Sequence, residues 1–369
     1  MKFGLFGGAF DPLHNEHVEL MELVYKKANL DALILVPSKN PPHKDKGLAS
    51  FKDRLMILRE FAKDKPYVII DSIESTSKRN SYAYEIIPQL INKYGGEFIY
   101  IIGGDSLVDF DTWKRPDLIL KLVPLLVFSR ANYTSIEHTA REQLLQKYGG
   151  SITILDYVGS GVSSSQIKAQ IETGFIDDAQ IPGYAKLYII EHNLYKTHSN
   201  IVDKLKANIS TELFVHCART AIYATAFCTK LRLNYKDVFL ATLLHDCAKE
   251  TKPLKSEYPT ISRKVIHQYD GKTLANELYG IEDPLILDAI EYHTTGKPKM
   301  SVLGKLVYVA DKLESGRDFD GITEIRNLVK YDFEKGFIKL LERSTTYVMS
   351  KGLEIDPLTK ETYDYYVKL

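Results

Sequence analysis

Six short apolar or β-branched runs punctuate the first half of the chain: "KFGLFGG", "ALILVPS", "YVIIDS", "EFIYIIGG", "PLLVFSR" and "SITILDYVG". Helical patterns separate several of them, with Val18, Met21, Val24 and Ala28 forming one apolar stripe and Leu55, Leu58, Phe61 and Ala62 another. Repeated strand-then-helix order implies an α/β domain built on a doubly wound parallel sheet, whose ligand site lies at the carboxyl ends of the strands. After "EHNLYKTHSN" the strand-like runs largely stop, and "ELFVHCARTAIYATAFCTKL", "KDVFLATLLHDCAKE", "LILDAIEYHTTG" and "SVLGKLVYVADKLE" read as successive helices. The expectation is an α/β domain over residues 1–196 followed by an all-α domain over residues 200–369. The connector is too short and too poor in Gly, Ser and Pro to serve as a long flexible tether.

Charge narrows the function classes. Lysines and arginines balance aspartates and glutamates at 48 each, so no global field favours nucleic acid or an anionic membrane surface, and small, locally recognised ligands are expected. The cysteines Cys217, Cys228 and Cys247 form no CxxC pair and read as reduced thiols of a cytoplasmic protein. The chain enters a strand-like run at once, without a basic segment leading into an apolar one, and no apolar run approaches the ~20 residues that span a bilayer. Neither secretion nor membrane insertion is expected, and the sequence does not give an oligomeric state.

The stretch "FGGAFDPLHNEH" carries the first candidate chemistry. Gly7 and Gly8 permit tight backbone geometry or close ligand approach, and Pro12 fixes φ before a helix begins. Backbone N–H groups at that helix start can face an anion. His14 and His17, three positions apart, share one helical face and can point together at a phosphate. Imidazolium groups there would stabilise charge on a transferring phosphoryl group, and no nucleophilic side chain is required. By themselves the two histidines fit helix capping and packing equally well.

This dodecamer resembles the HxGH signature of the nucleotidyltransferase superfamily. "VPSKNPPHK", "FKDRLMIL", "NSYAYEI", "FIYIIGGDSLVDFDTW", "GVSSSQIK" and "IPGYAKLYIIEHNLY", in that order, are similar to the bacterial nicotinate-nucleotide adenylyltransferases. The resemblance implies a Rossmann-like fold and transfer of AMP from Mg2+-ATP to nicotinate mononucleotide, giving deamido-NAD and pyrophosphate. It implies that His14 and His17 stabilise the transition state at the α-phosphate, with Gly7, Gly8 and Phe10 at the nucleotide. His43 and Lys44 would lie near phosphates, Ser164, Ser165 and Lys168 would hold the triphosphate, Asp105 would face the nucleotide, and Trp113 would border the pyridine ring. Some positions depart from the family: Glu16 stands where glycine is usual between the histidines, Lys168 replaces an arginine, and Ala83 and Glu85 replace Thr and Asp. These departures leave nicotinamide mononucleotide open as the substrate, and an ATP-sensing domain without transfer as a further alternative.

His216, the pair His245-Asp246, His267, His293 and Asp311 form a second constellation. Imidazoles and carboxylates from separate helices suit one or two divalent transition metals, which activate water and clamp the oxygens of a phosphoester displacement. The order is that of the HD phosphohydrolase superfamily. "LLHDCAKE", "HQYDGKTLANELYGI" and "EYHTTGKPKMSVLGKLVYVADKLESGRDFDGI" resemble its symmetrical dinucleoside tetraphosphate hydrolases. By that resemblance His216, His245, Asp246 and Asp311 would hold one metal, of the Fe or Mn kind. His267 and His293 would support a second with Asp246 bridging, and Lys249 and Arg317 would neutralise the polyphosphate of diadenosine tetraphosphate. A nucleotidase or cyclic-dinucleotide phosphodiesterase remains the alternative. Cys217 and Cys247 adjoin ligands, but soft thiolates suit this set poorly and are expected to be packed. His138, His192 and His198 fall outside both patterns.

Overall fold

The computed structural model describes residues 1–40, 48–76, 82–129, 134–157, 159, 161–258, 264–352 and 354–368. The chain divides into two compact units, one of Met1–Ile167 and Asp177–Tyr195, the other of Lys168–Ile176 and Lys196–Leu369.

In the first unit, strands β1 (Lys2–Gly8), β2 (Ala32–Pro37), β3 (Val68–Ile70), β4 (Glu97–Gly103), β5 (Leu125–Ser129) and β6 (Ile152–Asp156) form one parallel sheet. Each lies within one of the six runs anticipated from sequence. The strand order is β3-β2-β1-β4-β5-β6, so the winding reverses between β1 and β4. That reversal opens a crevice beyond their carboxyl ends, where Gly8 and Gly103 stand. Every residue of β2 is buried, which is why its sequence is continuously apolar rather than alternating.

The helices of this unit are α1 (Asn15–Lys27), α2 (Phe51–Ala62), α3 (Ala83–Tyr94), α4 (Gly104–Val108), α5 (Pro116–Leu122), α6 (Thr134–Tyr148), the start of α7 (Ser164–Thr173) and α8 (Gly183–Glu191). Helix α1 buries Leu20, Met21 and Val24, while Val18 is half-buried and Ala28 is the C-cap. Helix α2 buries Ile57, Leu58 and Phe61 together with a charged residue, Arg54. The Arg54 guanidinium donates to the carbonyls of Ala9 (2.6 Å), Ser38 (2.8 Å) and Ala49 (3.1 Å). Buried loop carbonyls need donors, and this arginine supplies them from an otherwise apolar face.

The second unit takes α7 from Lys168 onward and continues with α9 (Ser199–Asn208), α10 (Thr211–Thr225), α11 (Tyr235–Leu244), α12 (Ile266–Glu277), α13 (Pro284–Glu291), α14 (Val302–Leu313), α15 (Ile322–Tyr331), α16 (Phe333–Ser350) and α17 (Pro357–Val367). Side chains start several of them: Ser210, Asn234, Asp283 and Ser301 accept from backbone N–H groups in the first turns of α10, α11, α13 and α14. Every residue from Val238 to Leu244 is buried, which makes α11 the central helix of the bundle. Cys217, Cys228 and Cys247 are free, buried and part of this core. Among the described residues, no helix is long and apolar enough to cross a membrane.

Candidate functional sites

At the end of β1 the chain turns through Phe10, whose φ is +48°, and a cis Asp11–Pro12 peptide. The Phe10 ring folds back over Gly8, where an added Cβ would come within 3.3 Å of it; a side chain here would press on the ring. Asp11 is buried, and its Oδ1 accepts the Ala49 N–H and the Tyr195 hydroxyl, each at 2.9 Å. His14 is the extended N-cap of α1 (φ −135°, ψ 169°) rather than a helical residue. Its ring stacks on that of His17 at 3.7 Å between centroids, and its N–H donates to His17 Nδ1 at 3.4 Å. The pair therefore converges through capping geometry, not through a shared helical face.

The start of α7 joins the same loop, because the Ser164 hydroxyl donates to the Pro12 carbonyl at 3.2 Å. Ser163 caps the helix by a reciprocal exchange with Gln166, backbone N–H to side chain in each direction at 3.2 Å. Ser164 thus begins the helix and Ser165 follows it. Glu16 is buried, with its carboxylate against Gly159, where a Cβ would stand 2.8 Å from Oε1. Asp105 is exposed in the first turn of α4, just beyond β4, and accepts the Ser106 N–H at 2.9 Å. Trp113 is half-buried, its ring centroid 5.0 Å from that of Phe110 and 6.4 Å from that of Tyr100. Gly7 lies in the β1 ladder opposite Val36.

In the helical unit, α10 carries His216, α11 ends at His245 with Asp246 next, α12 carries His267, His293 follows α13, and α14 carries Asp311. One ligand atom each from His216, His245, Asp246 and Asp311 lies within 4.8 Å of the others, and Asp246, His267 and His293 form a second such group. In the first group, His216 Nε2 is 3.2 Å from His245 Nε2, 3.1 Å from Asp311 Oδ1 and 3.6 Å from Asp246 Oδ2. In the second, Asp246 Oδ1 is 3.2 Å from His267 Nε2 and 3.3 Å from His293 Nε2, and these two nitrogens are 3.2 Å apart. Asp246 thus gives one oxygen to each group. Ligands bound at about 2.1 Å on perpendicular bonds to one ion stand about 3 Å apart, so both groups fit a divalent ion.

The outer partners fit as well. His245 Nδ1 is 2.6 Å from the Thr242 carbonyl and His293 Nδ1 is 2.8 Å from that of Ile290. Donation from Nδ1 leaves Nε2 facing the cluster. Burial would raise the Asp246 carboxyl, but His245, His267 and His293 outweigh it and hold it well below the usual carboxylate range. Burial pulls His293 down to about 4, the neutral form that a metal ligand needs.

Comparison with known proteins finds a different family in each half of the chain. The Cytidylyltransferase-like family matches residues 5–170, and the HD domain family matches residues 213–316. A "Probable nicotinate-nucleotide adenylyltransferase" of Carboxydothermus hydrogenoformans is 32% identical over 197 residues, 53% of this chain and 98% of its own length. This chain belongs to the nicotinate-nucleotide adenylyltransferase family. A relative from Mycoplasma genitalium, named "Probable nicotinate-nucleotide adenylyltransferase/Ap4A hydrolase", is 29% identical over 344 residues, 89% of this chain and 93% of its own. The crystal structure of an HD superfamily hydrolase from Clostridium acetobutylicum is 28% identical, covers 47% of this chain and 97% of that one, and has a TM-score of 0.43.

In this member of the adenylyltransferase family, His43 and Lys44 lie outside the described residues. Lys168 is buried within the helical unit, its ammonium 5.0 Å over the Tyr235 ring. Lys249 donates to Asp246 Oδ2 at 2.6 Å, and Arg317 donates to Asp311 Oδ1 at 2.8 Å and to the Asp311 carbonyl at 2.8 Å. Both cations therefore rest against aspartates of the candidate metal groups. Sequence reading missed Thr294, whose hydroxyl is 3.0 Å from His293 Nε2, and Lys312, which donates to Asp311 Oδ2 at 3.3 Å. It also missed Glu314, although that residue lies three positions after Asp311 in "ADKLE".

Proposed function

We propose that this family member is a bifunctional cytoplasmic enzyme. Its first unit transfers AMP from Mg2+-ATP to nicotinate mononucleotide, giving deamido-NAD and pyrophosphate. Its second unit hydrolyses diadenosine tetraphosphate symmetrically to two ADP. The reading is supported by the Mycoplasma genitalium relative, whose name pairs these activities across most of the chain.

For the transferase, the carrying observation is the stacked His14–His17 pair at the α1 N-terminus, beside the crevice between β1 and β4. In our reading both imidazoles donate to the α-phosphate as charge develops there, aided by the N–H groups of the helix start. Gly7, Gly8 and Phe10 shape the nucleotide side, Ser164 and Ser165 hold phosphates, Asp105 faces the nucleotide and Trp113 borders the pyridine ring. His43 and Lys44 belong to this proposal through the family motif. The buried Glu16 carboxylate is accommodated by the absence of a side chain at Gly159.

For the hydrolase, the carrying observation is that Asp246 divides its two oxygens between two ligand groups. Divalent ions, Mn2+ or Fe2+, would supply Lewis acidity and an activated water between these groups. His216, His245, Asp246 and Asp311 would hold one ion, and Asp246, His267 and His293 the other. Lys249 and Arg317 brace the aspartates and present positive charge to an anionic polyphosphate.

Pyrophosphate release by the full-length protein, with Mg2+-ATP and either nicotinate or nicotinamide mononucleotide, tests the first half. Preference for the nicotinate form is expected, and no release with either would remove the transferase. Diadenosine tetraphosphate with Mn2+ or Fe2+ should yield ADP alone. Formation of ATP plus AMP, or an intact substrate, would overturn the symmetrical assignment.

A further inference from the structure

The histidines of the helical unit are not oriented alike. His245 and His293 present Nδ1 to backbone carbonyls three residues earlier, Thr242 and Ile290. His216 Nδ1 instead faces a carboxylate, Glu314 Oε1, at 3.2 Å and 98 residues further along the chain. Glu314 is the C-cap of α14 (φ −56°, ψ 164°) and its side chain is only 4% exposed. A buried carboxylate is costly unless it is paired and hydrogen-bonded. Here its second oxygen accepts the Gly316 N–H at 2.5 Å.

The backbone that carries it is clamped. Arg326 of α15 donates to the carbonyls of Leu313 (2.9 Å), Glu314 (2.7 Å) and Arg317 (3.0 Å), at and just beyond the end of α14. A Cβ at Gly316 would stand 3.1 Å from both Glu314 oxygens and 2.5 Å from Arg219 Nη1. Glycine at that position lets the carboxylate stay where it meets His216.

We infer that Glu314 is a positioning residue of the metal centre: by accepting the Nδ1 proton of His216 it aims Nε2 at the point shared with His245, Asp246 and Asp311, and makes that ion site the tighter of the two. A carboxylate on the far nitrogen raises the basicity of a ligating imidazole. Among the described residues the same group has four candidate ligands, including an aspartate of its own, whereas the other has three, with the shared Asp246 as its one carboxylate. This inference rests on the metal-dependent reading of the helical unit, and the test separates the two.

Full-length protein, stripped of metal by a chelator, is titrated with Mn2+ while free Mn2+ is followed by electron paramagnetic resonance. The wild type should bind two ions with unequal affinity. Glu314→Gln keeps the shape and removes the charge; it should weaken the tighter site about 10–100-fold and leave the weaker one unchanged. Gly316→Ala displaces the carboxylate without removing its charge and should weaken the same site. A wild type that binds no Mn2+ would sink the metal reading itself and the inference with it. Two ions in the wild type with unchanged affinities in both variants, or equal losses at both sites, would overturn the role of Glu314 alone.

Discussion

His216 Nε2 and His245 Nε2 face each other at 3.2 Å, while the opposite nitrogen of each ring meets Glu314 or the Thr242 carbonyl. Two nitrogen lone pairs at that separation need positive charge between them. Burial pulls the His245 imidazole down, but Asp246 and Asp311 outweigh it and push it up to about 9. In the ion-free chain His245 therefore favours its protonated form, and the Arg317 guanidinium also reaches His216 Nε2, at 3.3 Å. Loading with Mn2+ near pH 7 should release about one proton at this site, and affinity should fall as pH falls, because the proton competes with the metal. Calorimetry in buffers of different ionisation enthalpy measures this directly; a binding heat independent of buffer would contradict it.

Asp246 serves both ligand groups, one oxygen to each. Asp246→Asn should lower hydrolysis of diadenosine tetraphosphate by more than about 100-fold, beyond the loss typical of an outer-shell partner. Adenylyl transfer should persist, since the histidine pair lies in the other unit. Parallel assays of both reactions on one preparation check this, and joint loss of the two would mean that the variant acts through folding.

His17 is half-buried, whereas His14 is buried beneath the stack. His17→Ala should reduce pyrophosphate release by on the order of 10²–10³-fold, the usual effect of removing one donor to developing charge. The melting temperature should fall by only a few degrees, because the ring is partly solvated and the cap bond that its Nδ1 accepts from the His14 N–H is long. A full rate in the variant would reassign the pair to helix capping.

Arg54 answers to packing rather than chemistry. Arg54→Met should destabilise the first unit by about 1–3 kcal/mol for each buried carbonyl left unsatisfied, since those of Ala9, Ser38 and Ala49 lose a charged donor. Arg54→Lys should rescue little, as one ammonium cannot reproduce a planar fork spread over separate carbonyls. Urea unfolding of the full chain, followed through both transitions, reports the difference.

Periodicity and apolar runs are local properties, and they determined the six strands, the change to helices and the doubly wound class. Residue types in order also determined the two chemical constellations, because imidazoles and carboxylates have few uses when they recur beside strand ends and along helices. Tertiary structure alone decided how those residues meet. His14 became an N-cap, so its ring reaches His17 by stacking rather than by helical spacing. Arg54 joined a buried face because carbonyls from separate loops converge on it, and Lys168 went to the helical unit although its motif begins in the sheet unit. Asp246 divides its oxygens between two ligand groups, and Glu314 meets His216 across 98 residues. Hydrogen bonding and coordination depend on distance and direction in space, which a linear sequence holds only where the partners are near neighbours.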